Sequence, residues 1–220
     1  MDKSLTINQL REHGALGIVR VQKAENLLQI AEALQGGGLN CVEITMTTPG
    51  ALRAIEEAVG KLGDEVLMGA GTILDAATAR QAILAGAQFL VTPTVEPDVI
   101  EMAHRYGIVV IAGAMTPSEI LTAWEAGADM VKVFPAGILG PEYIKAVRGP
   151  LPQIPLVPTG GITAGNAGEF IKAGAAIVCA GGWLVDKKAV AEGRYEVLTE
   201  RARQLVETVE KARTAMTKEQ

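Results

Sequence analysis

One lysine interrupts an apolar run in Ala128-Asp129-Met130-Val131-Lys132-Val133-Phe134-Pro135, between a glycine turn and a proline. A short apolar run with such boundaries reads as a buried strand, and an ammonium inside one is costly unless it is paired or gives up its proton. An unprotonated lysine is a nucleophile that condenses with carbonyl compounds to a Schiff base. A carboxylate interrupts a second apolar run, Cys41-Val42-Glu43-Ile44. Beside an amine it would supply the proton transfers that imine chemistry needs. The plainer readings are a lysine snorkelling from a strand end and a structural ion pair. Buried pairs add little net stability once desolvation is counted, which favours chemistry over scaffolding.

Spacing ties the two residues together. Glycines precede four apolar runs at Gly38-Leu39, Gly86-Ala87, Gly127-Ala128 and Gly174-Ala175, as left-handed C-terminal helix caps do. Five residues on from each stand Glu43, Val91, Lys132 and Cys179. The elements that must position them alternate along the chain. Strands are predicted at Leu16 to Arg20, Asn40 to Thr45, Val66 to Ala70, Phe89 to Thr92, Ile108 to Ala112, Met130 to Phe134, Leu156 to Pro158 and Ala176 to Ala180, and stretches of helical spacing follow, such as Gln22 to Leu34, Ala51 to Val59, Ala76 to Leu84 and Pro117 to Ala126. Eight such βα units predict an α/β fold, a (β/α)₈ TIM barrel, as a single domain over residues 1–220. The competing architecture is a doubly wound open sheet, which the lack of Gly-x-Gly-x-x-Gly after the first strand disfavours. Layers in a barrel interior draw on alternate strands, so Glu43 and Lys132 should share one layer near the strands' C-terminal ends.

The loops at that end complete a binding site. Pro158-Thr159-Gly160-Gly161 and Cys179-Ala180-Gly181-Gly182 close the seventh and eighth strands. Paired glycines let backbone N–H groups approach an anion, a helix start just beyond adds a favourable dipole, and these two loops are the usual phosphate site of the barrel. Gly69-Ala70-Gly71-Thr72, after the third strand, could donate to a carboxylate. Thr116 to Glu119 reads as a structural cap with Pro117 in the first turn. Phe134, two residues from Lys132, would shield the amine or simply fill the barrel.

Bulk properties narrow the function classes. The 220 residues are 49% hydrophobic and 20% charged, enough for a sizeable core, with aromatics at only 4%. A net charge of -5 argues against a general nucleic-acid binder. No h-region or membrane-length apolar stretch is found, so a cytoplasmic protein without membrane partners is expected. Cys41 and Cys179 lack metal-ligand spacing, and His13 and His104 lie far from the motifs, so neither metal nor cofactor is expected.

Assembled, these residues resemble the 2-keto-3-deoxy-6-phosphogluconate / 4-hydroxy-2-oxoglutarate aldolase family from about Gly17 to Arg213. Val42-Glu43-Ile44-Thr45, Gly69-Ala70-Gly71-Thr72, Val131-Lys132-Val133-Phe134-Pro135-Ala136 and Pro158-Thr159-Gly160-Gly161-Ile162 carry the likeness. The resemblance implies a metal-free class I aldolase and a homotrimer. Its substrate would be a phosphorylated keto-sugar acid, cleaved to pyruvate and glyceraldehyde 3-phosphate, with the 6-phosphogalactonate epimer or 4-hydroxy-2-oxoglutarate as alternatives. A non-catalytic barrel binding a phosphorylated metabolite would need the glycine loops but not Lys132 with Glu43. By the same resemblance Lys132 forms the Schiff base and Glu43 is the general acid/base. Thr45, Thr72, Pro93 and Phe134 line the substrate pocket, and Thr159, Gly160, Gly161, Gly181 and Gly182 lie at the phosphate end. Two positions depart from the family pattern: Thr47 stands where many members carry an arginine, and Gly182 where many carry a serine. Arg20 is the replacement cation expected to meet the substrate carboxylate.

Overall fold

The computed structural model describes residues 2–218. Eight strands run in chain order: β1 (Ala15–Val19), β2 (Cys41–Thr45), β3 (Leu67–Gly71), β4 (Phe89–Val91), β5 (Val109–Ala114), β6 (Met130–Val133), β7 (Leu156–Pro158) and β8 (Val178–Ala180). All pair in parallel with their sequence neighbours, β1 also pairs with β8, and a bridge from Thr159 to Cys179 joins the two remaining edges. The sheet is thus a barrel, as expected. Its strands are short runs of Val, Ile, Leu, Ala and Gly because both faces are covered.

Helices α1 (Lys3–His13), α2 (Leu27–Gly36), α3 (Ala51–Leu62), α4 (Ala76–Leu84), α5 (Pro97–Arg105), α6 (Pro117–Glu125), α7 (Gly140–Arg148), α8 (Ala164–Lys172), α9 (Lys187–Ala191) and α10 (Glu196–Lys218) complete the described fold. Two depart from the sequence reading. The helix expected from Gln22 begins only at Leu27, because residues 22–26 carry no apolar stripe, whereas Leu27, Ile30, Ala31 and Leu34 are buried. The other is α1, which precedes the first strand. It is capped by the Asp2 side chain at one end and a left-handed Gly14 at the other. Its Ile7 and Leu10 close the barrel floor against a core that includes Leu16, Cys41, Phe89, Val109 and Met130. Lys3 of α1 pairs with Asp129 at 3.0 Å.

The expected glycine caps are present. Gly38, Gly86, Gly127 and Gly174 all have positive φ, and the residue after each donates its N–H five residues back, as Ala128 does to Ala123. This double closure ends the helix and aims the chain into the next strand.

Candidate active site

Ladder registers give the height of each inward side chain. Glu43 is level through Gly69 with Phe89, and Val91 lies two residues further along β4. Val91 is level through Ile111 with Met130, and Lys132 lies two further along β6. Lys132 pairs with Val157, and two residues on Thr159 faces Cys179. Cys179 pairs with Leu16, the residue before Gly17, which pairs with Val42; the circuit therefore returns to Glu43. Each step of two strands advances two residues, the stagger of a barrel with a shear of eight. Glu43, Val91, Lys132 and Cys179 form one layer, as the glycine offsets predicted.

The layer above it, from the odd strands, is Ile18, Gly71, Gly113 and Thr159. Two of its four members lack side chains, and neighbours use the space. A Cβ on Gly71 would stand 2.4 Å from Glu43 Oε1, and one on Gly113 would stand 2.2 Å from the Pro93 backbone. The Thr92 hydroxyl fixes that close approach, accepting from Gly113 N at 3.0 Å and donating to Thr94 O at 2.6 Å. Two residues beyond the lower layer come Thr45, Pro93, Phe134 and Gly181, three of which fall just past their strands.

Lys132 is 5% exposed and Glu43 only 1%. Both Glu43 carboxylate oxygens are buried without a hydrogen-bond partner. Burial pushes the Glu43 carboxyl above the usual carboxylate range, while the charges of Lys132 and Arg20 pull it back. A carboxyl whose hold on its proton is strengthened in this way is suited to act as a general acid. Burial and the charge of Glu43 likewise push the Cys179 thiol up to about 12, so it stays a neutral wall residue. Cys41 is also a buried free thiol, shifted upward chiefly by burial. The Lys132 Nζ lies 5.3 Å from the centre of the Phe134 ring, which is 39% exposed and covers the amine from the mouth side. The peptide between Phe134 and Pro135 is cis.

Arg20, one residue past β1, donates from Nη2 to the Thr72 hydroxyl at 3.3 Å. Thr72 has φ of 59°, a left-handed conformation uncommon for a β-branched residue and a mark of backbone held for a purpose. The Thr45 hydroxyl is within 3.1 Å of Thr47 and 3.4 Å of Thr48, a small hydroxyl cluster at the position of the departed arginine.

At the opposite rim, Gly160 and Gly161 both take positive φ, and α8 begins three residues later behind the Thr163 capping box. Asn166, which sequence reasoning missed, completes that box and donates to Gly161 O at 2.9 Å. Its signal was the Thr-x-x-Asn spacing. The Thr159 hydroxyl donates to Val157 O at 3.2 Å and is spent inside the wall. Gly181 and Gly182 differ from expectation in their setting: no helix starts just beyond them. The next is α9 from Lys187, five residues long and capped by the Asp186 carboxylate. Among the described residues no three His, Cys, Asp or Glu side chains group as metal ligands, and no helix is long and apolar enough to cross a membrane.

A buried amine and a buried carboxyl in one layer, under a glycine-emptied mouth, are the parts of an imine-forming carbonyl site. Residues 6–200 match the family model described as KDPG and KHG aldolase. The chain belongs to this aldolase family. Among curated relatives, the 2-dehydro-3-deoxy-phosphogluconate aldolase of Treponema pallidum is 35% identical over 193 residues, covering 87% of this chain and 91% of that one. The 2-dehydro-3-deoxy-6-phosphogalactonate aldolase of Escherichia coli is 36% identical over 170 residues, covering 77% and 81%. Among solved structures, the KDPG aldolase of Legionella pneumophila, with pyruvate captured as a covalent carbinolamine, superposes with a TM-score of 0.83 at 28% identity over 93% of this chain and 98% of that one. The barrel is thus the fold shared with this solved relative.

Proposed function

We propose that the protein cleaves 2-keto-3-deoxy-6-phosphogluconate reversibly to pyruvate and glyceraldehyde 3-phosphate through an imine on Lys132. The observation that carries this reading is the shared layer of Lys132 and Glu43, with the Glu43 oxygens buried and unpaired. The Lys132 amine attacks the C2 ketone to give a carbinolamine. Glu43, holding a proton because of its burial, delivers it to the departing hydroxyl, and water leaves an iminium. The resulting carboxylate takes the C4 hydroxyl proton as the C3–C4 bond breaks. The electron pair passes into the iminium to form an enamine, and the aldehyde leaves. Glu43 returns the proton to C3, and hydrolysis frees pyruvate and the lysine. Arg20 and the Thr72 hydroxyl meet the substrate carboxylate, Thr45, Pro93 and Phe134 border the chain of the sugar acid, and the loops at Gly160-Gly161 and Gly181-Gly182 receive the phosphate.

Pyruvate release from a panel of the phosphogluconate acid, its phosphogalactonate epimer and 4-hydroxy-2-oxoglutarate tests the assignment. The first should give the highest kcat/KM, and a preference for either of the others would replace it. Assembly as a homotrimer of single-domain chains in the cytoplasm belongs to the same proposal, and sedimentation equilibrium at a trimer mass would support it.

A further inference from the structure

At the end of the barrel remote from Lys132, a cleft of about 360 Å³ is lined by three arginines, Arg11, Arg148 and Arg213, and by apolar side chains including Ile154, Ile171 and Met216. Its size is that of a small-metabolite site. Two of the guanidiniums are fixed by the backbone. Arg148 donates from Nη1 to Gly174 O at 2.7 Å, and Arg213 donates to Glu12 O at 2.8 Å and Ala176 O at 3.0 Å. Left-handed glycines make room for them. A Cβ on Gly174 would stand 2.4 Å from Arg148 Nη1, and one on Gly14 would stand 2.4 Å from the centre of the Arg213 guanidinium.

Capping carbonyls explains one donor of Arg148 and two of Arg213, out of five on each. It does not explain why three cations converge. Among the described residues none of the three has a carboxylate partner within salt-bridge distance, and no acidic side chain lines the cleft. Burial lowers the Arg213 pKa, so its charge is incompletely solvated. The C-terminal end of α8 disfavours an anion, and the Arg148 guanidinium held on Gly174 O, two residues past the helix, offsets it.

We propose that this cleft is a second anion site, which takes the phosphoryl group of a phosphorylated metabolite between the arginines and its carbon body against the apolar wall. Arginine suits phosphate because its planar fork gives paired, charge-assisted bonds. The site stands apart from the aldol chemistry and does not rest on the proposed substrate. It is joined to the glycine loop at Gly160-Gly161 by α8, whose far end carries Ile171 and leads to Gly174.

Isothermal titration with inorganic phosphate decides this, run on wild type, Arg11→Gln, and Arg11→Gln/Arg148→Gln. Wild type should show a binding event that weakens at least tenfold in the double variant and measurably in Arg11→Gln, with aldol kcat and KM unchanged. Arg11→Gln touches an exposed side chain and keeps the test alive if the double variant does not fold. Identical isotherms in all three proteins would overturn the proposal. So would the absence of any phosphate-binding event in wild type.

Discussion

Replacing Glu43 by Gln keeps the outline of the side chain and removes its titration, so proton chemistry and packing can be read separately. In the unfolded chain a glutamate loses its proton near the ordinary value of about 4.3. In the folded protein burial holds the proton to higher pH, against the pull of Lys132 and Arg20. Between those two values the folded state binds more protons than the unfolded one. Stability must therefore fall as pH rises through that window, by about 1.4 kcal/mol for each pH unit separating the two values, and level off above it. Glu43→Gln has no such window. Urea denaturation of both proteins over a pH series gives the difference directly: flat below about pH 4, rising in favour of the variant with that slope, then constant. Other groups largely cancel in the subtraction. In the same variant, turnover should fall about a hundredfold or more, the range for acid/base groups, while slow borohydride trapping of pyruvate persists. Parallel stability curves would mean that Glu43 titrates at the same pH in the folded and unfolded chain, and would refute a carboxyl that burial keeps protonated for the carbinolamine.

Borohydride with pyruvate should add one reduced pyruvyl group at Lys132, found by peptide mass mapping; labelling at Lys145 or Lys172 instead contradicts the assignment. Lys132→Arg should abolish turnover and trapping, because a guanidinium stays protonated. Arg20→Ala should raise KM by about tenfold to a hundredfold with little change in kcat, as expected when a hydrogen bond to a charged group is lost from ground and transition states alike. An unchanged KM in steady-state assays would leave the substrate carboxylate to backbone donors. Gly71→Ala places a methyl 2.4 Å from Glu43 Oε1 and should cut kcat by roughly tenfold or more while costing about 1–3 kcal/mol of stability. Wild-type kcat in a folded Gly71→Ala protein would show that the carboxyl's position is unimportant.

The barrel and its charged layer were legible because two local signals agree. Glycine caps set the phase of four strands, and a cap fixes chain direction within a residue, so counting from Gly38 and Gly127 reached Glu43 and Lys132 correctly. The same count from Gly107, which closes α5 in the same way, reaches Ala112, which faces the helices. Strand ends were less legible: Arg20, Thr92 and Phe134 each lie one residue past the strand, although the Thr92 and Phe134 N–H groups still donate to Ile111 O and Ala114 O of β5, and residue type does not record where paired ladder bonding gives way to a loop. Helix α1 was obscured by its sparse apolar content, with only Thr6 and Leu10 fully buried. The threonine cluster and the Asn166 bond depend on contacts that spacing alone does not reveal.

The floor formed by α1 has a consequence for the order in which the chain acquires structure. Ile7 and Leu10 lack their complete seat until β8 has closed the ring and brought Cys179 into it, and Lys3 meets Asp129 more than a hundred positions downstream. A segment synthesised ahead of all eight strands is thus among the last to settle, because its contacts are non-local and loop closure must precede them. On a ribosome, α1 would wait exposed while the sheet is assembled. Its mostly polar surface suits that interval, since a helix of stronger apolar character would invite association before its seat exists.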